Sequence, residues 1–155
     1  MSVKEDYLDS VSLIERLHRQ FLEIVKLELD RIGARNINNV QALILYHIGE
    51  DQLTVGELTQ RGYYLGTNVT YNLKKLVENK YVSQSPSPHD RRAVHIKLTA
   101  SGLKLHKSLD AVFARHVDAL ARTNLKGKDF ASLMQALRSL EQFWIAGISR
   151  GGFGP

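Results

Sequence analysis

The chain has 155 residues, 43% of them hydrophobic, which suits one domain with a core or one module of an intertwined dimer. Because it has no cysteine, disulfides, thiolate zinc sites, iron–sulfur clusters and cysteine-based redox sensing are excluded. No apolar run approaches the ~20 residues of a membrane span, and the first residues lack a signal-peptide pattern, so we expect an intracellular, cytoplasmic protein.

The net charge of +5 is concentrated in one central segment. Between residues 61 and 97, seven lysines and arginines stand against two acidic residues, and the rest of the chain is neutral. A basic stretch on its own is often just an ordinary solvated surface. Its confinement to one segment between neutral regions nevertheless favours a polyanionic partner such as nucleic acid.

The first part of the chain predicts two helices. Apolar residues recur every three or four positions over residues 10–32, which is typical of a long amphipathic helix, and Gly33 is a suitable end. Asn38 can cap a second helix that ends at Gly49.

The central segment predicts two more helices and a hairpin. Thr54 and Glu57 form a capping-box pattern that opens a third helix over residues 54–62. A fourth helix is predicted over residues 67–79. Its apolar side consists of Val69, Leu73, Leu76 and Val77. Residues 81–84 and 93–98 then predict two antiparallel strands around a proline-containing loop.

The last part predicts a long helix capped by Thr99, a turn over residues 125–128 and a sixth helix. The predicted fold is mainly α with a small β-hairpin wing: a winged helix-turn-helix flanked by N- and C-terminal dimerisation helices. The terminal helices have more apolar surface than one small central domain can cover, so we expect a homodimer. The predicted regions are a dimerisation helix (1–37), the DNA-binding region (38–99), C-terminal dimerisation helices (100–148) and a flexible tail (149–155).

The fourth helix carries the side chains expected to read DNA. In a helix-turn-helix the second helix enters the major groove, and the first crosses the backbone. The amide of Asn68 can pair with adenine, and Lys74 or Lys75 can meet guanine or phosphate. Threonine hydroxyls and a tyrosine can donate to phosphate oxygens or touch a thymine methyl. The predicted contacts from the two helices are Thr54, Arg61, Thr67, Asn68, Thr70, Tyr71, Lys74 and Lys75.

The loop between the two strands predicts a wing tip. Arg91 and Arg92 suit a narrow minor groove, whose negative potential attracts arginine. Asp90 is expected to pair with one arginine and brace the loop. His89 is included among the predicted DNA contacts and can gain charge as the pH falls, although a lone loop histidine is usually only solvated.

These stretches resemble the MarR family of bacterial transcriptional regulators. The wing resemblance is carried by Asp90-Arg91-Arg92, the strand at 94–98 and the sequence Leu-Thr-Ala-Ser-Gly at 98–102. The helix-turn-helix resemblance is carried by Leu58, residues 67–70 and residues 76–78.

The resemblance implies a homodimer with intertwined terminal helices and two winged helices that reach successive major grooves of a pseudo-palindrome. Many members repress transcription and release DNA when a small, often aromatic, ligand binds. Arg19, Tyr46 and His47 are polar residues near the apolar stripes and are the candidate ligand-binding residues; the alternative is that they are ordinary, partly buried side chains.

The chain departs from the family pattern at three places. Lys80 stands where the family generally has glycine, so we expect a strained or rerouted turn. Gln84 and Ser85 replace the frequent arginines at the wing base. The turn at residues 62–66 is one residue longer than usual and brings two tyrosines next to the DNA face.

Other functional classes find little support. The sequence has no phosphate-binding glycine loop, His-Glu-x-x-His motif or nucleophile elbow, so no enzyme activity is expected. No cofactor is predicted, and a metal site at His89 and Asp90 lacks a second ligand cluster. The alternative function is a helical module that binds protein partners without reading DNA sequence.

Overall fold

The chain is mainly helical and contains one small antiparallel sheet, which confirms the predicted fold class. A computed structural model describes residues 2–62, 66–87 and 93–155. The described elements are α1 (Val3–Ile32), α2 (Asn39–Ile48), β1 (Leu53–Thr54), α3 (Val55–Gly62), α4 (Gly66–Glu78), β2 (Val82–Pro86), β3 (Val94–Leu98), α5 (Ala100–Leu120) and α6 (Gly127–Ser149).

Capping residues determine where the first two helices begin and end. Ser2 and Glu5 form a capping box, so α1 begins at Val3 and not near residue 10 as the apolar spacing predicted. Gly33 ends α1 in the left-handed conformation, with φ of 72°. Asn38 caps α2 as predicted, and the amide of Gly49 closes its last turn on the carbonyl of Leu45.

The sheet has the order β1-β3-β2, and both pairings are antiparallel. The register of the predicted hairpin runs from Val82 opposite Leu98 to Pro86 opposite Val94. The sequence did not predict β1, because a strand of two residues shows no alternation. Its pairing with His95 and Ile96 places the start of α3 beside the middle of β3.

The chain divides into two compact units, one up to Val112 and one from Phe113 onward. The core of the first unit combines side chains from its helices and its sheet. The buried hydrophobic residues are Val25, Leu29, Ala42, Ile44, Leu45, Ile48, Leu53, Leu58, Val69, Leu73, Leu76, Val82, Ile96, Leu98, Leu105, Leu109 and Val112.

The second unit contains the end of α5, all of α6 and the last residues of the chain. The tail expected to be flexible folds back on α6: the rings of Phe143 and Phe153 stack with centroids 4.6 Å apart. The Phe153 ring covers Gly147, and a Cβ at that glycine would lie 2.1 Å from the ring. None of the described helices is long and apolar enough to span a bilayer.

Candidate nucleic-acid interface

Helix α4 has one buried apolar face and one exposed polar face, as its sequence predicts. Val69, Leu73 and Leu76 are buried, and Val77 is half-buried. The described exposed side chains are those of Asn68, Thr70, Tyr71, Lys74 and, at the end of the helix, Glu78. Thr67 lies in the first turn of α4, and its side chain lies outside the described part of the structure. The exposed groups can donate and accept hydrogen bonds, as groove recognition requires.

The two lysines of α4 differ in their surroundings. Lys75 Nζ lies 3.3 Å from Glu78 Oε2 and 5.8 Å from the centre of the Tyr71 ring. Among the described residues, Lys74 has no ionic or hydrogen-bonding partner for its ammonium group. Lys74 is therefore the α4 cation most available for a phosphate or a base edge.

Two of the predicted contact residues, Thr54 just before α3 and Arg61 near its end, are engaged in bonds within the protein. The Thr54 hydroxyl accepts a hydrogen bond from the Glu57 amide at 3.1 Å, which is the threonine half of the predicted capping box. Arg61 Nη2 lies 3.1 Å from Asp51 Oδ2, and Arg61 Nη1 donates to the His47 carbonyl at 3.2 Å. The sequence did not predict this link between the end of α3 and the loop after α2.

A buried hydrogen bond joins α2 to α4. Gln41 Nε2 donates to Asn72 Oδ1 at 3.2 Å, and both residues are buried. Neither Gln41 nor Asn72 was predicted from the sequence to have a role. The available signal was that Asn72 falls on the same helical face as Val69 and Leu76, where a polar residue needs a buried partner.

The base of the wing is tied to the start of α5. The Thr99 hydroxyl donates to the Lys80 carbonyl at 2.6 Å, and the Thr99 amide donates to the Tyr81 carbonyl at 3.0 Å. Gly102 packs so closely here that a Cβ would lie 2.1 Å from the Tyr81 carbonyl oxygen. Lys80 has φ of 66°, so the residue where the family generally has glycine is in the left-handed region that favours glycine.

The predicted wing tip lies outside the described residues. His89, Asp90, Arg91 and Arg92 fall in the gap between residues 87 and 93, and Tyr63 and Tyr64 fall in the gap between residues 62 and 66. The strands β2 and β3 that lead into and out of the wing are described, and they hold its two ends in antiparallel register.

The candidate ligand residues are divided between two helices. Tyr46 of α2 donates a hydrogen bond to Asp110 Oδ1 at 2.8 Å and stacks on His106, with ring centroids 4.9 Å apart. The hydrogen bond to Asp110 raises the pKa of the Tyr46 hydroxyl, and partial burial and the carboxylate charge add to the effect. Arg19 lies exposed on α1.

His47 of α2 has a lowered pKa. Partial burial is the larger cause, and the positive charge of Arg61 is the second. The neutral imidazole is thus favoured in the folded protein.

An apolar cavity of about 480 Å³ lies in the second unit, where α5 ends and α6 begins. Its lining consists of Val117, Leu120, Ala121, Leu125, Lys126, Gly127 and Phe130. None of the three candidate ligand residues lines this cavity. Within the described ranges, no group of three or more histidine, aspartate or glutamate side chains is arranged to hold a metal ion.

Comparison with known proteins agrees with this architecture. The family model for a winged helix DNA-binding domain matches residues 37–102. The exopolysaccharide II synthesis transcriptional activator ExpG of Rhizobium meliloti (strain 1021) is 33% identical over 138 residues, which are 89% of this chain and 71% of ExpG.

Solved structures share the fold. A MarR mutant from E. coli complexed with operator DNA matches with a TM-score of 0.72 at 20% identity, over 90% of this chain and 99% of that chain. A MarR structure from Staphylococcus aureus, in complex with salicylate and kanamycin, matches with a TM-score of 0.71 at 22% identity, over 93% of each chain. The resemblance noted in the sequence is confirmed: the chain belongs to the MarR family of winged-helix transcriptional regulators, which bind DNA and are not enzymes.

Proposed function

We propose that two copies of this chain bind a pseudo-palindromic DNA operator and control transcription from it. Helix α4 of each copy enters a major groove with its exposed face, and Asn68 reads an adenine there. The wing of each copy places Arg91 and Arg92 in the adjoining minor groove, with Asp90 as their brace and His89 beside them. The exposed polar face of α4, held above a buried apolar face, is the observation that carries the proposal.

Exposed apolar side chains on the terminal helices support a homodimer. Leu13, Leu17 and Leu27 of α1 remain about half exposed. All 23 residues of α6 are described, and Gly147 is the only one of them that is buried. Apolar surface of this extent is unusual on a monomer and is what a second copy would cover.

The proposal also covers the direction of regulation (repression or activation of transcription) and the signal that ends it. We propose repression that a small organic ligand relieves, and a cytoplasmic location alongside the DNA. That a Staphylococcus aureus neighbour is in complex with salicylate supports an aromatic ligand. The identity of 33% with ExpG, a transcriptional activator, makes activation the second candidate.

Selection from a random duplex pool with the purified wild-type protein provides the operator on which the proposal is tested. Binding of the selected site and of a scrambled duplex is then measured by fluorescence anisotropy over a series of salt concentrations. A DNA-binding regulator loses affinity steeply with salt, by a slope of about −0.9 for each phosphate contact. A pool that yields no preferred sequence would support the protein-interaction module instead.

Two variants distinguish base reading by α4 from sequence-independent binding by the wing. Asn68→Ala should relax preference at one base position per half-site by about 1–3 kcal/mol while other positions keep theirs. The Arg91→Ala/Arg92→Ala variant should bind all sequences more weakly and have a flatter salt slope, with an intact fold. Unchanged operator affinity in the double variant would contradict the wing assignment.

The oligomeric state and the direction of regulation, repression or activation, are tested in separate experiments. Light scattering at micromolar concentration should give the mass of a dimer, and a monomer would overturn the proposed symmetry. A reporter gene with the selected operator across its promoter should be repressed when the protein is expressed. Increased expression would establish the second candidate, activation.

A further inference from the structure

Two of the three buried polar residues in the described part of the chain are bonded to each other. Gln41 is 7% exposed and Asn72 is 8% exposed, and the third, Ser87, directly follows β2. Gln41 belongs to the first turn of α2, and Asn72 to the middle of α4. Their contact is a polar link between two helices whose buried hydrophobic side chains include Ile44 of α2 and Leu73 of α4.

The link extends in both directions to the backbone. The Asn38 amide donates to Gln41 Oε1 at 3.1 Å, and Gln41 Nε2 donates to Asn72 Oδ1 at 3.2 Å. Asn72 Nδ2 then donates to the carbonyl of Asn68 at 2.8 Å. A continuous path of hydrogen bonds thus runs from the capped start of α2 to the residue of α4 that is proposed to read a base.

Hydrogen bonds constrain this helix in a way that its apolar contacts do not. Apolar packing is non-directional, so Val69 and Leu73 resist separation of α4 from the core more than they resist its rotation or sliding. A hydrogen bond in a buried, low-dielectric place depends steeply on angle and distance. Since Asn72 lies one helical turn after Asn68, fixing its amide fixes the direction in which the Asn68 side chain leaves the helix.

We propose that Gln41 is a positioning residue for sequence recognition: through Asn72 it sets the rotation and axial position of α4, and so the ratio of operator to random-DNA affinity. The inference rests on the proposed function, in which Asn68 reads a base. Bidentate readout tolerates displacements of only about 0.5 Å, so a helix held by packing alone loses discrimination before it loses phosphate contacts.

Four variants test the proposal: Gln41→Leu, Asn72→Leu, the double variant with both changes, and Asn38→Ala. Each single leucine variant leaves one buried amide without its partner and should unfold at a lower Tm than wild type. In the double variant both polar groups are gone, so much of the lost stability should return. Asn38→Ala weakens the cap of α2 but keeps the bond from Gln41 to Asn72, and it is the matched control for stability loss in the same helix.

The readout is the affinity for the selected operator divided by that for a scrambled duplex. We expect the double variant to regain stability while its ratio stays about tenfold or more below wild type, the loss of one good base contact. Asn38→Ala should keep the wild-type ratio despite its lower Tm. Affinity for the scrambled duplex should be the same in all variants that are folded at the assay temperature.

A double variant with the wild-type ratio would overturn the proposal, since the pair would then serve packing alone. A fall in the ratio for Asn38→Ala as large as for the double variant would overturn it too, because stability loss would suffice as the cause. If the double variant does not fold, Gln41→Met, which keeps the length of the side chain, must show the same fall in ratio below its Tm. A wild-type protein that prefers no sequence would instead defeat the proposed function.

Discussion

Arg61 of α3 forms an ion pair with Asp51: its Nη2 lies 3.1 Å from the Asp51 carboxylate. A second donor of the same guanidinium contacts the His47 carbonyl at 3.2 Å. The sequence placed this cation at the DNA backbone, because it ends the helix that crosses the phosphates. In the structure it links the end of α3 to the loop that follows α2.

Replacing Arg61 should therefore affect stability more than the electrostatics of DNA binding. Both side chains are substantially exposed, so a double-mutant cycle of Arg61→Ala and Asp51→Ala should give a coupling energy of about 0.2–1 kcal/mol in urea unfolding. The salt slope of operator binding should stay close to wild type in Arg61→Ala. A slope that is lower by about 0.9 would identify a full phosphate contact and confirm the assignment made from sequence.

Lys80→Gly should stabilise the protein. Lys80 has φ of 66°, where a side chain is disfavoured by about 1 kcal/mol and glycine is not, although glycine also raises the entropy of the unfolded chain. We expect a net gain of about 0.5 kcal/mol in the free energy of unfolding, measured with urea at a fixed protomer concentration. Lys80→Ala removes the charge but keeps the strain, so it should show no gain, and an equal gain in both variants would contradict the explanation.

Lys80 also illustrates what the sequence could predict. Helix ends were predictable where a local cap determines them, as at Asn38 and Gly49, and the resemblance pointed to a special turn at Lys80. The strand β1 and the bond between Gln41 and Asn72 were not predictable, since each depends on a partner more than thirty residues away in the chain. The exposed face of α4 followed from periodicity alone, but the pairing of Arg61 did not, because loop geometry determines it.

Gly102→Ala should destabilise the junction of the wing and α5. A Cβ at this position would lie 2.1 Å from the Tyr81 carbonyl oxygen, which is backbone and cannot move aside without shifting β2. Overpacking of this kind costs about 1–3 kcal/mol, and we expect the upper part of that range. Gly127→Ala is the matched control: nothing lies within 4 Å of its Cβ position at the start of α6, so it should be neutral or stabilising. Equal destabilisation in thermal unfolding would show that close packing is not the cause.

His47 should make the protein less stable as the solution becomes acidic. Burial and Arg61 lower its pKa in the folded state, whereas the unfolded chain titrates near 6.5, so the unfolded state binds more protons between the two values. The stability contributed by the neutral imidazole is complete above the unfolded pKa and is lost as the pH falls below it. His47→Gln should reduce the drop in urea midpoint between about pH 7.5 and about pH 5.5. Arg61→Ala should reduce it less, because charge is the smaller cause, and an undiminished drop in His47→Gln would contradict the assignment.

The two lysines of α4 should contribute unequally to DNA binding. Lys75 is held by Glu78 at 3.3 Å and lies near the Tyr71 ring, so binding a phosphate would require it to give up part of that arrangement. Lys74 is exposed and has no such competing partner among the described residues, so its charge is available at once. We expect Lys74→Ala to reduce the salt slope by about 0.9 and Lys75→Ala to reduce it by clearly less. Glu78→Gln removes a carboxylate near the phosphates and frees Lys75. In the otherwise wild-type protein it should therefore make the salt dependence of DNA binding steeper. Equal effects of the two lysine variants, with no response to Glu78→Gln, would mean that the ion pair seen in the free protein does not persist at the DNA.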